Sequence, residues 1–261
     1  MNHGYHHMDG LEMLKQIDSK SVDLVLTDPP YIISKKTGMD ALFNANDAEK
    51  AKAKYGSKYA IQTNYGDWDN NFTLENLEEF IKEFSRILRN GGSCIIFFDL
   101  WKIETISNML TKHKFGKLRF IEWVKTNPVP INSKATYLSN AREIAISCVK
   151  GGKATFNSEY DNGIYQYPIY QGKREIDRIH PTQKSLELFE ELINKHTNEG
   201  DVVVDPFGGS ATTYIACQHL NRKCYSSEIS ADYYEKCQTR IKWHDDNKVV
   251  EEKAEFFDAN T

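Results

Sequence analysis

Two short apolar runs each end on an aspartate followed by proline, and this feature most constrains the fold. Val22–Thr27 stops at Asp28-Pro29-Pro30-Tyr31, and Val202–Asp205 runs into Pro206-Phe207-Gly208-Gly209-Ser210. Runs of this length with β-branched residues read as buried strands, and the prolines end them at their carboxyl side. Cys94–Phe98, Leu118–Val124, Glu143–Val149 and Lys223–Ser227 have the same character. Between them lie segments with helical spacing: Leu11–Ile17, Leu74–Leu88 capped by Thr73 and closed by Gly91-Gly92, Trp101–Leu110, Leu186–His196, Thr212–Leu220 and Tyr233–Trp243. Alternating strands and helices predict an α/β fold on a largely parallel sheet.

The rest of the chain divides by composition. Residues 34–66 carry no amphipathic pattern and read as a long mobile loop beside a strand end. Residues 128–179 hold Pro128, Pro130 and a Tyr-rich irregular stretch, apart from the strand at Glu143–Val149. Residues 1–127 and 180–244 make up the main domain, and 245–261 form an acidic, flexible tail. That tail accounts for the formal net charge of −4, because Asp245–Asp258 holds six acids against Lys248 and Lys253. Lys112–Lys153 is the reverse, with nine bases against Glu122 and Glu143, which suits a stretch facing phosphates. No apolar run approaches the length of a membrane span and no leader pattern opens the chain, so a cytoplasmic protein without membrane contact is expected. The five cysteines have no metal-ligand spacing and read as reduced packing residues, with no metal expected.

Ligands of open α/β sheets bind beyond the carboxyl ends of the strands, so the two Asp-Pro junctions are the places to look for chemistry. The second junction offers glycines for close backbone approach, a helix amino end, and Glu228 at the end of the next strand, placed to accept from ribose hydroxyls. That combination indicates a nucleoside-containing cofactor. The first junction suits an amine conjugated to a ring. Such a nitrogen is a poor nucleophile until acceptors draw it toward tetrahedral geometry. The Asp28 carboxylate and the Pro29 carbonyl can accept its two hydrogens while Tyr31 stacks on the ring, a contact worth about 1–3 kcal/mol.

The ordered set Asp9-Gly10, Thr27-Asp28-Pro29-Pro30-Tyr31, Gly66–Asp69, Trp123–Pro128, His180–Lys184, Asp205–Gly209 and Glu228 resembles the DNA amino-methyltransferases. Within them it is similar to the β subgroup, whose catalytic tetrapeptide precedes the cofactor turn. The resemblance implies a permuted Rossmann-like fold: a mostly parallel seven-stranded sheet with one antiparallel strand and helices on both faces. It implies S-adenosylmethionine as cofactor, S-adenosylhomocysteine as product and DNA as partner, and leaves a homodimer open. Asp28, Pro29, Pro30 and Tyr31 would be the catalytic segment, with Asp28 also near the donor's amino group. Asp9 and Gly10 would read the cofactor's adenine, and Thr182, Gln183 and Lys184 would hold its methionine carboxylate. Asp205, Phe207, Gly208, Gly209 and Ser210 would form its turn and Glu228 would take the ribose. Trp123, Lys125 and Asn127 would hold an extruded base, Lys134 and Arg142 would meet DNA, and 128–179 would be the main target-recognition region. His180 receives no proton-transfer role.

Two residues depart from the family pattern: Ala211 stands where glycine is usual, and Ser185 where proline is usual. An alanine restricts φ at the turn, while Ser185 can still cap the following helix. Attack through ring carbon C5 of cytosine needs a reactive cysteine, typically after proline, and none of the five follows one. An RNA base or a protein amide is disfavoured by the order of the segments. Asp28 favours adenine N6 over cytosine N4, where serine is commoner at that position. A cytosine N4 enzyme, and a non-catalytic DNA-binding or partner subunit on the same scaffold, remain as alternatives, as do a restriction partner and a solitary enzyme.

Overall fold

The computed structural model describes residues 1–31, 72–129, 137–138, 140–170, 176, 179–180 and 182–258, with side chains through residue 247. The chain forms two compact units, Met1–Pro29 with Glu78–Thr261, and Pro30–Leu77. Most of the second unit, including the 34–66 loop, lies outside the described residues. Its described end starts a helix in which Thr73 and Asn76 cap each other: Thr73 Oγ1 accepts from Asn76 N at 3.2 Å, and Asn76 Oδ1 accepts from Thr73 N at 3.0 Å.

Among the described residues the first unit is built on one sheet of eight strands: β1 (Gly4–His7), β2 (Val22–Thr27), β3 (Leu88–Phe98), β4 (Phe115–Lys125), β5 (Arg142–Lys150), β6 (Ile164–Tyr167), β7 (Val202–Asp205) and β8 (Lys223–Glu228). Their order is β1-β8-β7-β2-β3-β5-β4-β6, and only β5 runs antiparallel to its neighbours. The helices are α1 (Gly10–Lys15), α2 (Leu74–Ile87), α3 (Ile103–Lys112), α4 (Leu186–His196), α5 (Thr212–His219) and α6 (Ala231–Asp258), with a 3₁₀ turn at Leu100–Lys102.

The central strands are buried on both faces, as parallel strands require. Leu24, Leu26, Ile95 and Phe97 pack with Leu188, Phe189, Leu192 and Ile193 of α4 and with Ala216 and Cys217 of α5. Val25, Cys94 and Ile96 point the other way by the period-two pleat and are equally buried. The apolar stripes of α2 (Phe80, Ile81, Phe84, Ile87) and α3 (Ile106, Leu110) are buried and stand outside the α4–α5 cluster, giving helices on both faces.

Three expectations are corrected. The sheet has eight strands rather than seven, because Ile164–Tyr167, read as irregular, pairs parallel with β4. Four residues are too few for a period to show, and the approach is made by Gly163 (φ 74°), whose carbonyl accepts from Glu122 N at 2.7 Å. Within 128–179, both β5 and β6 belong to the main sheet. Gly91-Gly92 lies inside β3, beyond the end of α2; Gly91 (φ 85°) sits where a Cβ would come within 2.3 Å of the Lys153 carbonyl. Helix α6 continues to Asp258, through the tail read as flexible, because no glycine or proline interrupts Ala231–Asp258.

Candidate active site

Strand order brings four chain ends to one edge. β1 ends before Asp9-Gly10, β8 ends at Glu228, β7 ends at Asp205 and β2 ends before Asp28, and these four strands are adjacent and parallel. The pleat then selects a face. Asp28 continues the Leu24–Leu26 side of β2, and Glu143 and Lys125 lie on the side of Ala145 and Trp123 that shares the α4 cluster. Lys184 stands two residues ahead of α4. Its Nζ lies 2.7 Å from Asp28 Oδ2 and 2.6 Å from Glu143 Oε2, and Glu143 Oε1 lies 2.5 Å from Lys125 Nζ. Two ammoniums and two carboxylates thus alternate along one buried line, with the Lys184 side chain only 8% exposed.

The charges hold one another ionised. Burial by itself would raise the Glu143 carboxyl, but the ammoniums of Lys184 and Lys125 outweigh it and hold it down at about 2. Burial likewise disfavours the Lys184 ammonium, and the carboxylates of Asp28 and Glu143 reverse this, raising its pKa above the usual lysine range. Lys184, expected on the cofactor's methionine carboxylate, pairs with Asp28 and Glu143 in this structure.

The glycine turn is braced from behind. The Asp205 carboxylate accepts from Thr27 Oγ1 (2.7 Å), Thr213 Oγ1 (2.6 Å) and Phe207 N (3.1 Å). It orients the turn. Gly10 is required for packing, since a Cβ there would meet the Pro206 carbonyl at 2.4 Å; one on Gly208 would meet Ser226 Oγ at the same distance. Asp9 caps α1, accepting from Leu11 N and Glu12 N at 2.9 and 3.0 Å. Phe207 packs on Phe80, with ring centroids 4.6 Å apart. Ser210 Oγ contacts Thr212 Oγ1 at 3.0 Å. Glu228 accepts from Gly209 N at 3.1 Å and Ser230 N at 2.7 Å, which aims its carboxylate along the turn with lone pairs left over. Its carboxyl is raised by burial, against the lowering effect of those hydrogen bonds.

Ala211 occupies the left-handed region (φ 63°, ψ 21°) at the start of α5. Its buried methyl packs among Tyr5, Ile215, Cys237 and Ile241. Ala211→Gly removes left-handed strain of about 1–2 kcal/mol and loses a buried methyl worth about 0.8 kcal/mol, so the two effects nearly cancel. The urea midpoint is expected to shift by no more than about 1 kcal/mol, and cofactor affinity by calorimetry to stay within about fivefold. A tenfold tightening would mean that the methyl impinges on the cofactor.

The remaining sequence candidates separate. Gln183 is buried, its Oε1 accepting from Ile179 N at 3.3 Å, and the exposed Thr182 hydroxyl meets His180 Nδ1 at 2.9 Å. Ser185 caps α4, accepting from Leu188 N and donating to Glu187 at 2.8 Å. Trp123 was expected on an extruded base, yet it is 1% exposed and donates through Nε1 to the Tyr167 carbonyl. Asn127 is held by Ile169, donating to its carbonyl at 3.0 Å and accepting from its N–H at 2.6 Å. Lys125 is committed to Glu143. All three are held on β4 or just beyond it, where β4 pairs with β6. Arg142 is at the same edge, 69% exposed, with Glu122 Oε1 at 3.2 Å; Lys134 lies outside the described residues.

The basic stretch is not one face. The register Phe115↔Lys150 puts Lys112, Lys114, Lys117, Lys150 and Lys153 at the opposite edge of the sheet from Arg142, which pairs with Val124. β4 spans roughly 30 Å between them.

Sequence reasoning missed Glu143, and its only signal was a carboxylate opening an otherwise apolar strand. It also missed Tyr5, Cys237 and Arg240. The Tyr5 hydroxyl and Cys237 Sγ donate to the Gly209 carbonyl at 2.9 and 2.8 Å, and Arg240 donates to the Ser210 carbonyl at 2.5 Å. No local pattern marks residues that act from β1 and α6 on a turn between β7 and α5. All five cysteines are buried and free.

Two histidines make the fold acid-sensitive. Burial, with the Lys184 and Lys236 charges, pushes His180 down to about 4, and burial pushes His196 down to about 4 beside Ser93. Both bind protons more readily when unfolded, so their stabilisation is complete above pH 6.5 and is lost as pH falls toward 4. For His196 this amounts to about 3 kcal/mol, and His196→Gln is expected to flatten the fall of the urea midpoint over that range. An unchanged slope would contradict the assignment.

Comparison with known proteins agrees with this geometry. The family model described as DNA methylase (N6/N4 type) matches residues 22–240. The chain is 26% identical over 251 residues to type II methyltransferase M2.DpnII of Streptococcus pneumoniae, covering 90% of this chain and 88% of that protein. It is 28% identical over 261 residues to M2.MboI of Moraxella bovis, covering 94% and 88%. The crystal structure of the M1.HpyAVI–SAM complex superposes with a TM-score of 0.64 at 27% identity, over 91% of this chain and 98% of that one. The cytosine-N4-specific PvuII methyltransferase shares the fold, with a TM-score of 0.69 at 18% identity, over 94% and 91%. With most of its length matched by the family model and its strand ends arranged as described, the chain belongs to the N6/N4 family of S-adenosylmethionine-dependent DNA methyltransferases.

Proposed function

We propose that the protein methylates the N6 amino group of adenine in DNA, taking the target base out of the helix and using direct in-line attack. The observation that carries this reading is the Asp28 carboxylate, held at the carboxyl edge of the sheet by Lys184 at 2.7 Å and one strand from the glycine turn. The residues present fit the cofactor. Glu228 is aimed along the turn for a ribose, Gly208 admits no side chain, and Asp9-Gly10 ends the strand beyond it. S-adenosylmethionine supplies a methyl group on a sulfonium, which a nitrogen lone pair can attack without a covalent enzyme intermediate.

The chain's own part is positioning and electrostatics. Asp28 accepts one amino hydrogen and the Pro29 carbonyl the other, drawing the lone pair out of the ring. Tyr31 supplies a face for the base. Extrusion costs a few kcal/mol, less from single strands. The carboxylate at the first tetrapeptide position supports adenine.

Mass spectrometry of nucleosides from unmethylated duplex DNA incubated with the protein and S-adenosylmethionine tests the reading. N6-methyladenine is the expected product. N4-methylcytosine would retain the mechanism and overturn the base, and no methylated nucleoside from duplex, single-stranded DNA or RNA would favour a non-catalytic subunit.

A further inference from the structure

Buried ion pairs are poor stabilisers, since apolar residues of similar volume commonly do as well or better. Four alternating charges on one sheet face therefore need another explanation, and their place is where the target amine arrives. Glu143 is the junction. One of its oxygens takes Lys125 and the other Lys184, whose ammonium also binds Asp28. Each member is fixed by a different element: Asp28 by β2, Glu143 by β5, Lys125 by β4 and Lys184 by the start of α4. Lys184 Nζ also lies 5.6 Å from the Phe97 ring centroid, and Lys125 Nζ 5.0 Å from that of Trp123, whose indole is tied to Tyr167.

We propose that Glu143, braced by Lys125, is a positioning residue for methyl transfer, dividing the Lys184 ammonium between two carboxylates so that Asp28 stays aimed and able to accept from the target amine. The inference rests on the proposed function and deepens it. A lysine ammonium has three donors and a compact charge. Without Glu143, its donors would concentrate on Asp28, filling the lone pairs that the amine needs and turning the carboxylate. Without Lys125, Glu143 would draw Lys184 away from Asp28. The balance between the two ends sets the geometry.

The experiment uses the full chain and a charge-balanced variant, Glu143→Gln with Lys125→Met, which leaves the Asp28–Lys184 pair in place. Methylation kinetics, cofactor affinity by calorimetry and the thermal midpoint are measured together. The expected result is a loss in kcat of about 10²-fold, the scale of a small misplacement of reacting groups, with cofactor affinity and KM for DNA little changed. Lys125→Arg, which keeps the charge, is expected to retain most of kcat, whereas Lys125→Met loses it and moves the acid limb of the kcat–pH profile upward, because Glu143 then faces one ammonium instead of two. If the balanced variant does not fold, this Lys125 pair carries the test. Wild-type kcat in either disrupted variant, or a loss fully explained by weaker cofactor binding, would overturn the inference. An inactive wild-type protein would instead remove the function on which it rests.

Discussion

Asp28→Asn lowers the rate of methyl transfer by about 10²–10³-fold, the effect of removing one preorganised charged acceptor from a transition state. The substitution keeps the shape of the side chain and removes its charge. It replaces an oxygen that only accepts with an amide whose NH₂ can only donate. Either amide orientation is then wrong for one neighbour, because the Lys184 ammonium at Oδ2 and the incoming amine both require acceptors. Cofactor binding is expected to remain measurable by calorimetry, since Glu228 and the turn braced by Asp205 and Tyr5 are untouched. Single-turnover methylation gives the rate directly, and a variant that methylates at the wild-type rate would sink the role assigned to Asp28.

Lys184→Met destabilises the fold by about 3–5 kcal/mol, the cost of leaving a buried charge uncompensated. Asp28 and Glu143 would then both lose the ammonium they share, while Lys125 stays on Glu143. The loss is read as a lower urea midpoint at pH 7. It has a pH signature as well. In the wild type, Glu143 is held at about 2 from an ordinary 4.5, so its stabilisation is complete above pH 4.5 and disappears as pH falls toward 2. Without Lys184 that depression shrinks and the stability curve flattens over the same range. Adding Glu143→Gln removes one of the two carboxylates that Lys184 had compensated and recovers part of the loss. If the single variant is as stable as the wild type, the four charges are not the coupled unit described here.

The two strand-end motifs and the glycine turn were legible because their residues are contiguous. Val22–Thr27 and Val202–Asp205 are strands with the predicted bounds, and Leu186–His196 is a helix with the predicted bounds. Strand β6 was missed because Ile164–Tyr167 carries too little pattern, and pairing with β4 decides its conformation. The basic stretch was misread for the opposite reason. Bases close in sequence fall on an antiparallel pair, so Lys112, Lys114, Lys150 and Lys153 lie at one edge of the sheet and Lys125 and Arg142 at the other.

By itself the sequence determined the alternating α/β order, the family and the cofactor, because each depends on residues adjacent in the chain. The tertiary structure alone decided which side chains face one another. Lys184 pairs with both Asp28 and Glu143, Trp123 and Asn127 bond the backbone of Tyr167 and Ile169, and Glu143 lies between two lysines. The physical reason is that charge and hydrogen bonding act over a few ångströms of space, and residues 28, 125, 143 and 184 meet only after the strands have taken their order and register.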